Sequence, residues 1–193
     1  KLLNSSLFNE DAPMAQNATI YKVELSVCDM DRHYYETHKL TIAKHPSETD
    51  ERLMVRLLAF ALNAHEHLEM TKGLSTEDEP DIWQKSLSGE LQLWISLGQP
   101  SDKNIRQSCS KSDQVILYTY GRSADIWWEK IKGSLTRFTN LKIINISDAD
   151  TRAMAELSNR SMKMQVNIQD GEVMLSVNDT PLYLSPIKWM PAT

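Results

Sequence analysis

Two short apolar runs, residues 115–120 and 141–146, constrain this chain more than any other feature, because a helical pattern over 123–132 separates them. Strands that are apolar on both faces must be covered on both faces, and strands that alternate with helices imply an α/β sheet with a parallel portion. The alternation begins upstream. Residues 90–97 place Leu91, Leu93, Ile95 and Leu97 on one face and Gln92, Trp94 and Ser96 on the other. Gly98, Pro100 and Ser101 then mark a turn and an N-cap, and 102–109 reads as a short helix carrying Lys103 and Arg106, with Lys111 just beyond.

The N-terminal third reads as β followed by a long helix. Residues 19–28 alternate Tyr21, Val23, Leu25 and Val27 against Lys22, Glu24 and Ser26, and 38–44 alternate again after a turn at 29–32, which predicts an antiparallel hairpin. Pro46 ends the second strand. Ser47 with Asp50 fits a capping box, and the apolar spacing from Leu53 onward predicts an amphipathic helix over 48–68. A short strand over 68–73 leads into an acidic elbow. Near the C-terminus, Ser47's counterpart is Ser147, which caps a helix to about residue 160. Residues 162–168 and 173–177 flank Asp170-Gly171, the strongest hairpin signal in the chain.

The chain has 193 residues, enough for one well-buried domain, and its 41% apolar and 24% charged content is that of a globular protein. No apolar run reaches the roughly 20 residues that a membrane span requires. A net charge of −5 supplies no global field for nucleic acid, so phosphate binding must come from a local patch or a bound cation. Cys28 and Cys109 stand far apart with no CxxC or His-Cys cluster, which predicts two buried thiols in a reducing, cytoplasmic setting. Six glycines form no phosphate loop, so no small-molecule cofactor is expected. Residues 1–13 read as an upstream extension or cloning remnant, and 14–193 as one domain.

The chemistry-bearing residues are acids. Glu77, Asp78, Glu79 and Asp81 crowd the elbow and repel one another unless a cation or a basic side chain sits among them. Glu51 falls on the same helical stripe as Val55, Leu58 and Leu62, where a carboxylate needs either an ion-pair partner, Arg52 or Arg56, or a metal ion. A helix acid beside a strand-end acid can hold a divalent cation for phosphodiester chemistry. Trp83, Trp94, Trp127 and Trp128 are assigned to packing. His45, just ahead of the helix, is a structural residue that could orient Glu51.

The segments HPSETDERLMVRLLAF, DEPDIWQK, LWISLGQP and LYTYGRSADIWW occur in order between Ala18 and Trp189 and resemble the bacterial YaeQ family. That family is similar in fold to the PD-(D/E)XK, restriction-endonuclease-like nucleases. The resemblance implies a mixed central β-sheet flanked by helices, here with a C-terminal β-hairpin. It also implies a helix glutamate, matched by Glu51; an acid near the end of one strand, matched by Asp78 or Glu79, with Asp81 in the literal Pro-Asp pair; a second acid on the next strand; and a lysine that positions or deprotonates the attacking water. Ser96 stands where YaeQ sequences usually carry that glutamate, and Leu97 and Gly98 follow it where the pattern has x-Lys. The resemblance therefore gives Mg²⁺ held by Glu51, Asp78 and Glu79, with Lys103 or Lys85 supplying the missing cation near a nucleic-acid phosphate. A serine hydroxyl is a poor ligand for a hard cation, so the same residues also describe a catalytically degenerate binding module.

Overall fold

The computed structural model describes residues 18–72 and 79–190. Along the chain run β1 (Thr19–Asp29), β2 (Tyr34–Lys44), α1 (Asp50–Leu62), β3 (Leu68–Met70), β4 (Ile82–Lys85), β5 (Leu91–Leu97), α2 (Asp102–Lys111), β6 (Gln114–Tyr120), α3 (Ala124–Leu135), β7 (Leu141–Ile146), α4 (Asp148–Glu156), β8 (Ser161–Gln169), β9 (Glu172–Val177), β10 (Thr180–Leu184) and β11 (Ile187–Met190). They build two mixed sheets, ordered β10-β9-β8-β1-β2 and β11-β7-β6-β5-β4-β3. Parallel pairing joins β5 to β6, β6 to β7 and β1 to β8.

The expectation of one central sheet is corrected to two sheets flanked by helices. The first sheet turns Val23, Leu25 and Val27 of β1 and Met162, Met164 and Val166 of β8 inward, onto a core shared with α1 and one face of the second sheet. Its outward residues, such as Lys22, Glu24, Lys163 and Gln165, are exposed, so that face needs no covering layer. The other face of the second sheet packs Trp94, Val115, Leu117 and Ile143 against Ile105 of α2 and Leu135 of α3, with Trp127 and Trp128 beside them.

Helix α1 is shorter and more deeply buried than its sequence suggests. Every residue from Leu53 to Ala61 is buried, Arg56 included, because the helix lies in the core between the inner faces of the sheets and is flanked by α4. Each fully buried leucine there contributes roughly 1.5–3 kcal/mol of burial free energy. Its N-cap is Thr49, whose Oγ1 accepts from the Arg52 N–H at 3.2 Å, not Ser47, whose hydroxyl lies 2.6 Å from His45 Nδ1. It stops at Leu62, where Asn63 Nδ2 donates to the Ala59 carbonyl at 2.8 Å. Likewise α4 ends at Glu156 instead of about residue 160.

Three strands lie beyond what periodicity showed. β4 is four residues between the elbow and the Ser86–Gly89 turn, β10 follows Asn178 and Asp179, and β11 crosses to pair with β7. Asp170 and Gly171 have φ of 53° and 77°, the left-handed pair expected of a tight hairpin. Asn178 and Asp179, at 45° and 68°, make a second such turn without glycine. The predicted C-terminal hairpin is thus a three-stranded meander plus one strand given to the other sheet. Cys28 and Cys109 are free thiols and half-buried, not buried.

Candidate functional site: a buried acid–guanidinium quartet

The first two turns of α1 carry Arg52 and Arg56, four residues apart and so on one side of the helix. Arg56 Nη2 donates to Glu48 Oε2 at 3.0 Å, and the two side chains are only 2% and 3% exposed. Arg52 uses its planar fork twice, donating from Nη2 to Asp81 Oδ1 and from Nη1 to the Leu97 carbonyl at 3.2 Å. Asp81 Oδ2 in turn accepts from the Leu97 N–H at 2.9 Å. The Tyr120 phenol lies close enough to Arg52 to interact with its charge. The Arg52–Asp81 pair therefore clamps both polar groups of the last residue of β5. The chain turns immediately afterward at Gly98, whose φ of 97° suits glycine.

Two positive and two negative groups share this island. Burial pushes the Asp81 carboxyl up from its ordinary range, opposed by the Arg52 guanidinium and the Leu97 N–H. Burial raises Glu48 as well, with Arg56 and then Arg52 pulling it back. Burial also lifts the Tyr120 phenol. Glu48 Oε1, Arg52 Nε and Arg56 Nε are buried without a hydrogen-bond partner among the described residues, so the island retains spare polar capacity.

The structure brings some of the expected site residues together. Glu79, Asp81 and Ser96 line one small cleft of about 140 Å³, with Trp94 and with Asn104 of α2. Ser96 Oγ accepts from Trp94 Nε1 at 2.9 Å, and Trp94 itself is a packed residue only 6% exposed. Glu51 sits half-buried in the first turn of α1, makes no hydrogen bond or ion pair among the described residues, and does not line that cleft. The pairing of Glu51 with Arg52 or Arg56 is corrected, since both guanidiniums serve other acids. His45 bonds Ser47 and so does not orient Glu51. Lys103 is exposed on α2, and Lys85 Nζ lies 3.5 Å from the Trp83 ring centroid. Asp78 lies outside the described residues.

Glu48, Arg52, Arg56 and Asp81 as a unit were not read from the sequence. The available signals were an arginine inside an unbroken apolar helix run, which obliges a buried acid, and the literal Pro80-Asp81 pair.

The described donors are a poor match to a hard divalent cation. Both oxygens of Asp81 are committed to N–H donors, Ser96 is neutral, and among the described residues no three His, Cys, Asp or Glu side chains converge. Arg52 supplies the positive charge beside Asp81. No described helix is long and apolar enough to cross a membrane.

A model of the YaeQ protein family matches residues 14–186. The chain is 40% identical to the uncharacterised YaeQ of Salmonella typhi over 177 residues, covering 91% of this chain and 98% of that protein. The crystal structure of the YaeQ protein from Xanthomonas axonopodis pv. citri superposes with a TM-score of 0.86 at 45% identity, over 89% of this chain and 98% of the other. That from Pseudomonas syringae gives 0.88 at 34% identity, over 92% and 98%.

Proposed function

The chain belongs to the YaeQ family, and on that premise we propose that it keeps a nuclease-like scaffold as a non-cleaving binding module, with Arg52 in the electrostatic place of a metal ion. The observation that carries this reading is the Arg52–Asp81 clamp on Leu97. The order α1, β3, β4, β5, α2, β6 supports a restriction-endonuclease-like core, since it sets Pro80-Asp81 at the start of one strand and Ser96 on the strand beside it. A carboxylate that already accepts from a guanidinium and a peptide N–H has its charge balanced and a cation beside it that repels a second one, and Ser96 supplies no further charge. The net charge of −5 argues against tight general binding of nucleic acid.

The competing reading is Mg²⁺-dependent phosphodiester cleavage, with Glu51, Asp78 and Glu79 holding the ion and Lys103 or Lys85 near the scissile phosphate. Incubating the purified protein with Mg²⁺ or Mn²⁺ and single- and double-stranded DNA and RNA separates the two. The expected result is no product above a metal-free control. Cleavage that disappears in Glu51→Gln would overturn the proposal. In addition, Asp81→Ala should lower stability by about 3–5 kcal/mol, the cost of stranding a buried charge, whereas a dedicated metal ligand could be removed with little effect on the melting temperature.

A further inference from the structure

We infer that the cleft between the two sheets, at the end of α1 away from the quartet, binds a small amphipathic anion. The cleft has a volume of about 500 Å³, within the roughly 300–1,000 Å³ typical of small-molecule sites. Leu62 and Asn63, at the C-terminal end of α1, close one end of it. Its floor is a face of the second sheet and its opposite wall belongs to the first, so it lies where the two sheets part company beyond the helix.

The charge on the floor is what points to an anion. Lys188 of β11 stands opposite Ile144 of β7, and Lys142 lies two residues before Ile144 on the same face. The two lysines are therefore diagonal neighbours, about 7–8 Å apart at the backbone. Among the described residues neither makes a hydrogen bond or an ion pair, although both line the cleft. Of the acids across from them, Asp29 is neutralised by Arg32, while Asp31 is held by peptide N–H groups and keeps its charge. Asp29 accepts from the backbone N–H and Nε of Arg32 at 3.0 and 2.6 Å, and Asp31 accepts from the N–H groups of Asp170 and Gly171 at 2.7 and 2.9 Å. With Asp29 neutralised by Arg32, the lining sets Lys142 and Lys188 against the single carboxylate of Asp31, which leaves an excess of positive charge that an anion would balance.

The walls set the rest of the ligand. Ile116, Ile144, Ile168 and Val173 offer apolar surface that a bare inorganic ion would not cover. Tyr118 oxygen accepts from Asn63 Nδ2 at 2.8 Å, which leaves its O–H proton to donate to an acceptor. A carboxylate or phosphate head on an apolar body uses both halves of the cleft. A neutral apolar molecule uses only the walls, and inorganic phosphate only the lysines.

Calorimetric titration of the full chain with decanoate, decyl phosphate, decanol and inorganic phosphate tests this. Saturable binding of decanoate or decyl phosphate is expected, with decanol and inorganic phosphate each weaker by roughly tenfold or more, the loss of one charge-assisted contact or of the buried chain. The two anionic probes distinguish a carboxylate from a phosphate head. Lys142→Gln with Lys188→Gln should weaken the anionic probes roughly tenfold or more while leaving decanol binding and the melting temperature in place. Absence of saturable binding by either anionic probe, or anion binding unchanged in the double variant, would overturn the inference.

Discussion

Replacing Arg56 by Met tests how the quartet holds α1 against the sheets. The substitution keeps the volume of the aliphatic stem but removes the charge that balances Glu48, whose side chain is 3% exposed and has one oxygen already without a partner. Stranding a buried charge costs about 3–5 kcal/mol. For a domain of 150–250 residues each kcal/mol moves the melting temperature by roughly 2–4 °C, so the expected drop is roughly 6–20 °C. Glu48→Met in the same background removes the stranded carboxylate and should recover most of the loss, because an ion pair replaced by apolar side chains of similar size is often neutral or stabilising. The pH dependence has a definite sign. Burial already raises Glu48, and without Arg56 its folded-state pKa rises further above the unfolded value. Such a group favours the folded state below the unfolded pKa and disfavours it as pH rises through the folded one. The deficit of Arg56→Met should therefore be smaller near pH 4 than at pH 7. Urea melts of the wild type, both single variants and the double variant at the two pH values provide the cycle. A single-variant loss under about 1 kcal/mol, or losses that simply add, would refute the reasoning.

Arg52→Lys keeps the charge but not the fork that spans Asp81 and the Leu97 carbonyl, and should lose about 1.5–3 kcal/mol in the same melts. Thr49→Ala should cost roughly 1 kcal/mol, the usual price of a lost N-cap, while Ser47→Ala stays within about 0.5 kcal/mol; the opposite order would restore Ser47 as the cap. Burial lowers the His38 pKa, with Glu36 opposing it, so its contribution to stability is present above the unfolded value of about 6.5 and is lost as pH falls below it. A stability–pH profile measured by thermal melting should therefore flatten on the acid side in His38→Gln, and an unchanged profile would count against that role.

How legible the fold was depends on what each segment buries. β1, β5 and β8, with one face on a core and one in water or on a different partner, announce themselves by alternation, and β7 by its continuous apolar run. β4, β10 and β11 carry four or five residues each, too few for a period to emerge, and their places come from pairing with neighbours already laid down. The division into two sheets was hidden because strand patterns report faces, not which strands join. The helix α1 misled in a more instructive way. Its apolar spacing resembles an amphipathic stripe, yet the residues between the stripe are buried too, and Arg56 is tolerated there only because Glu48 is buried with it. At the site, the acids were visible but their partners were not. Asp81 and Arg52 are 29 residues apart, and only the β4–β5 register brings Leu97 between them.

The central claim is that Arg52, not a metal ion, neutralises Asp81. Titrating Mg²⁺ and Mn²⁺ by calorimetry into the wild type, Glu51→Gln and the Arg52→Met/Ser96→Glu double variant tests it most directly. The account predicts no saturable binding in the wild type or Glu51→Gln, and binding that emerges once the guanidinium is removed and a carboxylate is placed at Ser96. Saturable binding in the wild type that Glu51→Gln abolishes would contradict it.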